Sequence, residues 1–362
     1  MFSRFIDGNV TYLFRAWVDY TFRRRMPSFV LLNSAVVLLT ALLAGFALDA
    51  TVPTPWGPFH FNFTTGGTPT WLYVGVFGVV ALFLALGLYL IISELRIERR
   101  KRVIAIELRG LRDTSGCPLV KAVPRTITGR REQLLLNLRQ GQDGNIGDPA
   151  AAVRRVEALP HDLASREQGI DRSDITYILG GLAPVPLSFL TGILTDDECA
   201  VTLMDWDRHT NRWSPLELAD DGKRFAISGL DAVAAQTDAV AVAVSVSYAI
   251  DTTGVAQKYP GMPLVEMTLQ DGNPDAHWSE EKQAALGRQF LETLIALGNI
   301  GVRTVHLFLA APNSVVLRLG RLYDKRNLPA VIVYQYDRRE APPFPWGIQM
   351  PVEGKPNAEV VA

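Results

Sequence analysis

Two long apolar runs, residues 28 to 48 and 71 to 93, stand early in the chain with arginines on their outer flanks and no lysine or arginine between them. Each reaches the roughly 20 residues that a helix needs to cross about 30 Å of hydrocarbon, and neither contains an acid or a base. Arg4, Arg15, Arg23, Arg24 and Arg25 precede the first run, whereas Arg96, Arg99, Arg100, Lys101 and Arg102 follow the second. The positive-inside rule then puts both ends of this two-helix hairpin in the cytoplasm and its tip outside. A cleavable signal peptide fits poorly, because Met1 to Pro27 is too long a lead-in and a second span follows with its own basic stop. The lead-in carries Phe2, Phe5, Ile6, Tyr12, Leu13, Phe14, Trp17, Val18 and Phe22 at loosely helical spacing. It is expected either to lie along the inner membrane surface or to be an ordinary cytoplasmic segment. The connection Asp49 to Thr70, with Pro53, Pro55, Trp56, Pro58, Phe59, Phe61 and Phe63, suits a structureless loop resting at the outer interface.

The remainder is long enough for one large domain or two small fused ones, so the expected organisation is a lead-in (1–27), a hairpin (28–93), a basic linker (94–102), a globular domain (103–350) and a loose tail (351–362). A formal net charge of −1 gives no case for binding DNA or RNA. The basic residues cluster beside the membrane, where anionic lipid accounts for them. Cys117 and Cys199 are the only cysteines, which indicates neither a disulfide framework nor a zinc knuckle and agrees with a reducing cytosol.

Within the globular part, Val103 to Leu108 alternates like a strand, Arg130 to Arg139 reads as a short amphipathic helix, and Ala150 to Leu159 has helical period. From Asp174 onward strands and helices alternate. Ile175 to Leu179 is a strand broken by Gly180 and Gly181, and Pro184 to Leu194 is a helix opened by proline. Glu198 to Asp207, Val240 to Ile250 and Leu264 to Gln270 read as strands. Ser279 caps a helix running to about Leu297, with Glu280 and Glu281 in its first turn. Thr304 to Leu309, Ser314 to Asn327 and Ala330 to Tyr336 form a strand, helix, strand unit. This is the α/β pattern of a sheet covered on both faces, in which ligands bind where loops leave the carboxyl ends of strands.

The common catalytic templates are missing: there is no G-x-S-x-G, no Walker lysine loop and no G-x-G-x-x-G, and His60, His161, His209, His277 and His306 have no paired ligand spacing. His306 lies within an apolar strand and reads as a core histidine. Asp205 and Asp207 sit at alternate positions and could share a metal on one face of a strand, although Arg208 beside them favours a solvated edge. Pro274, Asp275, Glu280, Glu281 and Lys282 echo a metal-nuclease string, but Ser279 to Lys282 begins a helix, so the acids are better read as partners of its dipole. Polar, small and aromatic residues at strand ends remain. They are Gly180, Gly181 and Pro184; Trp206 and Arg208; Ser245, Ser247 and Tyr248; and Pro312, Asn313 and Ser314 at a helix start able to hold phosphate. Tyr334 and Tyr336 share a strand face and could stack against a base.

The stretch Thr304 to Asp337, T-V-H-L-F-L-A-A-P-N-S-V-V-L-R-L-G-R-L-Y-D-K-R-N-L-P-A-V-I-V-Y-Q-Y-D, resembles the C-terminal core of SAVED domains. I-L-G-G-L-A-P-V-P-L-S-F-L-T-G (178 to 192), D-W-D-R-H-T-N-R-W (205 to 213) and V-S-V-S-Y (244 to 248) resemble the first half of that family. The resemblance implies two fused CARF-like, Rossmann-like halves that bind a cyclic oligonucleotide made by a CD-NTase in bacterial CBASS anti-phage defence. With its hairpin the chain is similar to the two-transmembrane SAVED effectors, which implies an inner-membrane, multi-pass protein that self-associates on binding a cyclic di- or trinucleotide and disrupts the lipid bilayer. No metal, cofactor or catalytic residue is implied. Two alternatives remain open: a membrane-anchored α/β enzyme acting on nucleotides through Asp205 and Asp207, and a tethered sensor that recruits a partner. The few polar residues of the spans (Asn33, Ser34 and Thr40, with Gly45, Gly75, Gly78 and Gly87) argue for bilayer disordering over a selective pore.

Overall fold

A computed structural model describes residues 27–43, 47–54, 57–64, 70–141, 146–196 and 201–362. The chain divides into two compact units, Met1–Arg99 and Arg100–Ala362. The expected segment 1–27 lies outside the described residues except for Pro27.

In the first unit, helix α1 spans Pro27–Leu43 and helix α2 spans Thr70–Arg100. The stretch Val74–Ser93 of α2 is long and apolar enough to cross a membrane, and among the described residues it is the one that meets both conditions. Most of its apolar residues point outward: Val74, Phe77, Leu82, Leu86, Leu88 and Tyr89 are exposed, as water would not favour and lipid would, while Val80 is buried. Thr40 Oγ1 donates to the Val36 carbonyl at 2.7 Å and Ser93 Oγ to the Leu90 carbonyl at 2.8 Å, so these hydroxyls carry no unpaired donor into an apolar medium. Two sequence expectations need correction. The first run does not stay helical to residue 48, because strand β1 (Ala47–Thr54) has begun by then. The connection is not structureless either: β1 pairs antiparallel with β2 (Gly57–Thr64), since both segments alternate in hydropathy with a period of two.

The second unit holds two sheets. The first has the order β4-β3-β5-β6-β7, built from β3 (Arg102–Arg109), β4 (Arg130–Asn137), β5 (Ile175–Leu182), β6 (Val201–Asp207) and β7 (Arg212–Pro215). Its strands run parallel except β7. Helices α3 (Leu119–Ala122), α4 (Pro149–Glu157), α5 (Leu159–Glu167) and α6 (Val185–Leu194) connect them. The second sheet has the order β14-β13-β12-β11-β9-β10-β8, in which β12, β11, β9 and β10 are parallel. Its elements are β8 (Phe225–Ser228), β9 (Ala239–Ser245), α7 (Thr252–Lys258), β10 (Leu264–Leu269), α8 (Glu280–Ile300), β11 (Thr304–Ala310), α9 (Asn313–Leu322), β12 (Ala330–Gln335), β13 (Trp346–Gln349) and β14 (Glu359–Val361).

Most of the alternating pattern expected from Asp174 onward appears, although the strand expected to reach Ile250 stops at Ser245 and the helix expected to reach Asn327 stops at Leu322, and other expectations along the domain are corrected too. Arg130 to Asn137 is a strand, not a helix: Leu134 and Leu136 are buried at alternate positions while β3 supplies a full parallel register for it. Gly180 and Gly181 do not end β5. They continue it, because a Cβ at Gly180 would sit 3.0 Å from the Trp213 ring and one at Gly181 3.3 Å from Leu108 Cβ. The C-terminal residues are no loose tail: β14 pairs with β13, and Ala358 N donates to Glu157 Oε1 at 2.7 Å.

One continuous core joins the two sheets, and α6 and α9 cross inside it. The crossing is close because Gly192 meets Gly320. A Cβ on Gly320 would overlap the Phe189 carbonyl, and one on Gly192 would overlap the Leu317 carbonyl and lie 2.9 Å from Gly320 Cα. Around it Phe189 packs edge-on against Phe290 at 6.5 Å and at a tilt against Tyr323 at 6.2 Å. Each such fully buried large side chain contributes about 1.5–3 kcal/mol. This crossing brings the carboxyl ends of both sheets to the same side.

Candidate ligand-binding cleft

Parallel α/β sheets leave a crevice where successive connections turn to opposite sides, which here falls between β3 and β5 in the first sheet and between β9 and β11 in the second. A cleft of about 780 Å³ opens at both places at once. Leu111, Arg112, Leu182 and Val185 reach it from the ends of β3 and β5, and Asp205, Trp206 and Arg208 from β6. Residues 247–251 follow β9, Leu309 and Ala310 end β11 and residues 311–313 follow it, and Tyr336 and Arg338 follow β12. The loops are tied across their roots. Gly110 N and Leu111 N both donate to the Leu182 carbonyl, at 2.8 and 2.7 Å, and Val246 N and Ser247 N both donate to the Ala310 carbonyl, at 2.9 and 3.0 Å.

Arg112, Arg208 and Arg338 are exposed on the rim, while the acids of the cleft are already engaged. Asp251 caps α7 by accepting from Gly254 N at 3.0 Å. Asp205 is 4% exposed, and its carboxylate accepts from Trp206 N at 2.7 Å and from Ser314 N at 3.0 Å. The space therefore presents three exposed guanidinium groups to a ligand against one exposed carboxylate, that of Asp251, a balance that favours anions. Trp206 meets Trp213 edge to face at 5.4 Å, with the Arg112 guanidinium 5.8 Å above its ring. Tyr248 (60% exposed) and Tyr336 (48% exposed) offer further open ring faces.

Of the thirteen residues singled out in the sequence, the structure brings Trp206, Arg208, Ser247, Tyr248, Pro312, Asn313 and Tyr336 to the cleft. It places the others elsewhere. Gly180 and Gly181 lie within β5, and Pro184 packs beside Gly110 at the start of α6. Ser245 is buried, its Oγ accepting from Ile250 N at 3.1 Å. Ser314 is fully buried: its Oγ bonds Gln283 Nε2 at 2.9 Å and its backbone N–H is held by Asp205. The start of α9, expected to hold phosphate, thus already has a carboxylate on that amide. Asn313 Oδ1 accepts from Ser188 Oγ at 2.5 Å, which ties the start of α9 to α6.

Tyr334 is 2% exposed and stacks on Phe308 at 4.9 Å, so a base has no access to its ring. Its hydroxyl bonds Tyr259 and lies 3.0 Å from His306 Nδ1, and burial pushes its pKa well above the usual phenol value. His306 has a partner, as a core histidine should. Burial, and secondarily the charge of Lys258, holds its pKa below the ordinary value.

Reading motifs missed His277. It is 3% exposed in the cleft wall, with Nε2 3.4 Å from Asp205 Oδ2 and neither ring nitrogen in a hydrogen bond. No motif carries that pairing, since 72 positions separate the residues. Asp205 and Asp207 do not act as a pair. Asp207 closes a turn by accepting from His209 N at 2.8 Å and Thr210 Oγ1 at 2.6 Å, and among the described residues no group of three or more His, Cys, Asp or Glu is placed to hold a metal. The nuclease-like acids are dispersed as the helix reading requires: Asp275 bonds His209, Glu280 pairs with Arg318, and Ser279 Oγ caps α8 by accepting from Lys282 N.

Residues 159–350 match the family described as "SMODS-associated and fused to various effectors sensor domain" (SAVED), and residues 7–153 match the "SAVED-fused 2TM effector domain". No curated protein matches the chain. Similar solved structures include the Acinetobacter baumannii Cap4 SAVED/CARF-domain containing receptor with the cyclic trinucleotide 2'3'3'-cAAA, at 12% identity and a TM-score of 0.44 over 78% of this chain and 55% of that one. The same receptor with 3'3'3'-cAAA is 13% identical, with a TM-score of 0.44 over 85% of this chain and 57% of that one. The chain spans little more than half the length of these receptors.

Proposed function

The chain belongs to the SAVED family of sensor domains fused to effectors, and we propose that its cleft binds a cyclic oligonucleotide second messenger that drives a two-transmembrane effector. One observation carries this reading: three exposed arginines and three aromatic rings surround a single cleft at the carboxyl ends of both sheets. Phosphates would pair with Arg112, Arg208 and Arg338, and bases would stack on Trp206, Tyr248 and Tyr336, with Ser247 and Asn313 completing the polar lining. The sensor extends from about Arg102 to Val361.

The hairpin spans the inner membrane of a bacterium, with both its ends in the cytoplasm, and the protein acts in CBASS anti-phage defence without catalysing a reaction. Ligand binding favours an assembled state only by its preference for that state over the free monomer. Self-association clusters the hairpins and perturbs the bilayer, killing the infected cell. In dye-loaded liposomes carrying the full chain, the matching cyclic nucleotide should raise leakage, and no rise would sink the disruption step. A panel of cyclic di- and trinucleotides identifies the ligand, and no binding across that panel would sink the sensor step.

A further inference from the structure

The described part of the connection between the two helices, Ala47–Thr54 and Gly57–Thr64, is a two-stranded ribbon with a marked division of residue types. In its register Leu48 pairs with Phe63, Ala50 with Phe61 and Val52 with Phe59, which puts six apolar residues on one face. The opposite face takes the pairs Asp49 with Asn62 and Thr51 with His60, flanked by Ala47 with Thr64 and Pro53 with Pro58. An isolated two-stranded sheet is marginal in water and needs a surface for its apolar face.

Three physical constraints name that surface. Helix α1 has 17 residues; at 1.5 Å each it is about 25 Å long, short of the roughly 30 Å of hydrocarbon. The three residues between Leu43 and Ala47 reach at most about 14 Å, so β1 begins at the membrane boundary. A two-stranded ribbon also has two open edges, and unpaired backbone groups are not tolerated in hydrocarbon, so it cannot be immersed. Asp49 is the only acid or base other than His60 between Arg25 and Glu94, which leaves apolar contact as the attraction.

We infer that the β1–β2 ribbon lies flat in the outer membrane interface, its face of Leu48, Ala50, Val52, Phe59, Phe61 and Phe63 against the acyl chains and its opposite face toward water. This rests on the two-span membrane reading proposed above. Each copy then occupies area in the outer leaflet that it does not occupy in the inner one. Clustered copies would expand one leaflet against the other.

The full chain carrying Cys117→Ser and Cys199→Ser, with single cysteines at Ala50, Thr51, Phe61 or Asn62, would be labelled with an environment-sensitive fluorophore. It would be placed in phosphatidylethanolamine and phosphatidylglycerol vesicles containing a nitroxide-labelled lipid. Quenching at Ala50→Cys and Phe61→Cys should exceed that at Thr51→Cys and Asn62→Cys several-fold, and the pair Val52→Cys and His60→Cys repeats the comparison if Phe61→Cys does not fold. Equal quenching on both faces overturns the inference, as does label-to-label quenching confined to the apolar face, which would mean that a second copy covers it. Release of the protein by alkaline carbonate would instead show that the two-span reading itself has failed.

Discussion

The two halves of the sensor make the same turn with different chemistry. Ala183-Pro184 leads from β5 into α6 and Ala311-Pro312 leads from β11 into α9, and the helices then cross at Gly192 and Gly320. At α9 the amide of Ser314 is taken by Asp205 from the other half. At α6 the amide of Val185 is taken by Gln335 Oε1 at 3.2 Å, again from the other half, and Pro186 has no amide to offer. Each half therefore supplies the acceptor for the other's helix start. Groups that bind phosphate in many α/β proteins here fasten the halves together, which leaves the exposed arginines of the rim as the cations open to a ligand in the proposed reading.

The strongest way to break this comparison is at the crossing itself. Gly320→Ala or Gly192→Ala forces a Cβ into a backbone carbonyl and should cost about 3 kcal/mol, read as a lower denaturation midpoint of the full chain in detergent. Asp205→Ala comes next. It leaves the buried Ser314 N–H unpaired and should cost about 2 kcal/mol, with Asp205→Asn recovering part of it. If Asp205→Asn abolished an activity while leaving the midpoint unchanged, the metal-enzyme alternative would return.

The rim sharpens the comparison from the other side. Alanine at Arg112, Arg208 or Arg338 should weaken cyclic-oligonucleotide binding roughly tenfold, about 1.4 kcal/mol, with little change in stability. Binding should also become less sensitive to salt. Unchanged affinity in all three variants would place the ligand elsewhere. The smallest effect concerns His306, whose folded pKa lies below its ordinary value. Its contribution is intact above about pH 6.5 and is lost as pH falls, because the unfolded chain then takes up a proton that the folded one resists. His306→Gln should flatten that part of the stability profile by at most about 1.4 kcal/mol per pH unit.

Local chemistry was readable where a residue answers mainly to its neighbours in sequence. Ser279 before Glu280 and Glu281 announced α8, and Pro184 announced α6. That Trp206, Arg208, Ser247, Tyr248 and Tyr336 would meet at one end of the sheets was legible because strand ends follow from period, and the structure places all five in the lining of the cleft. Tyr334 was misplaced for the same reason. It differs from Tyr336 by one strand repeat, yet Phe308, Tyr259 and Phe344 close over it while Tyr336 stays open. Arg112, Arg338 and His277 carry no motif and entered only through contacts distant in sequence.

Charge and hydropathy thus determined by themselves that the chain holds a paired apolar segment and an α/β domain, because both depend on short-range periodicity and on length against membrane thickness. Tertiary structure decided what is free to bind. Whether Ser314, Asp205 or Tyr334 faces a ligand depends on partners more than a hundred residues away or across a sheet, and burial of a polar group is settled by which partner reaches it first. It also decided that the link between the helices is an amphipathic ribbon, since a period of two has one apolar face only once the register is set.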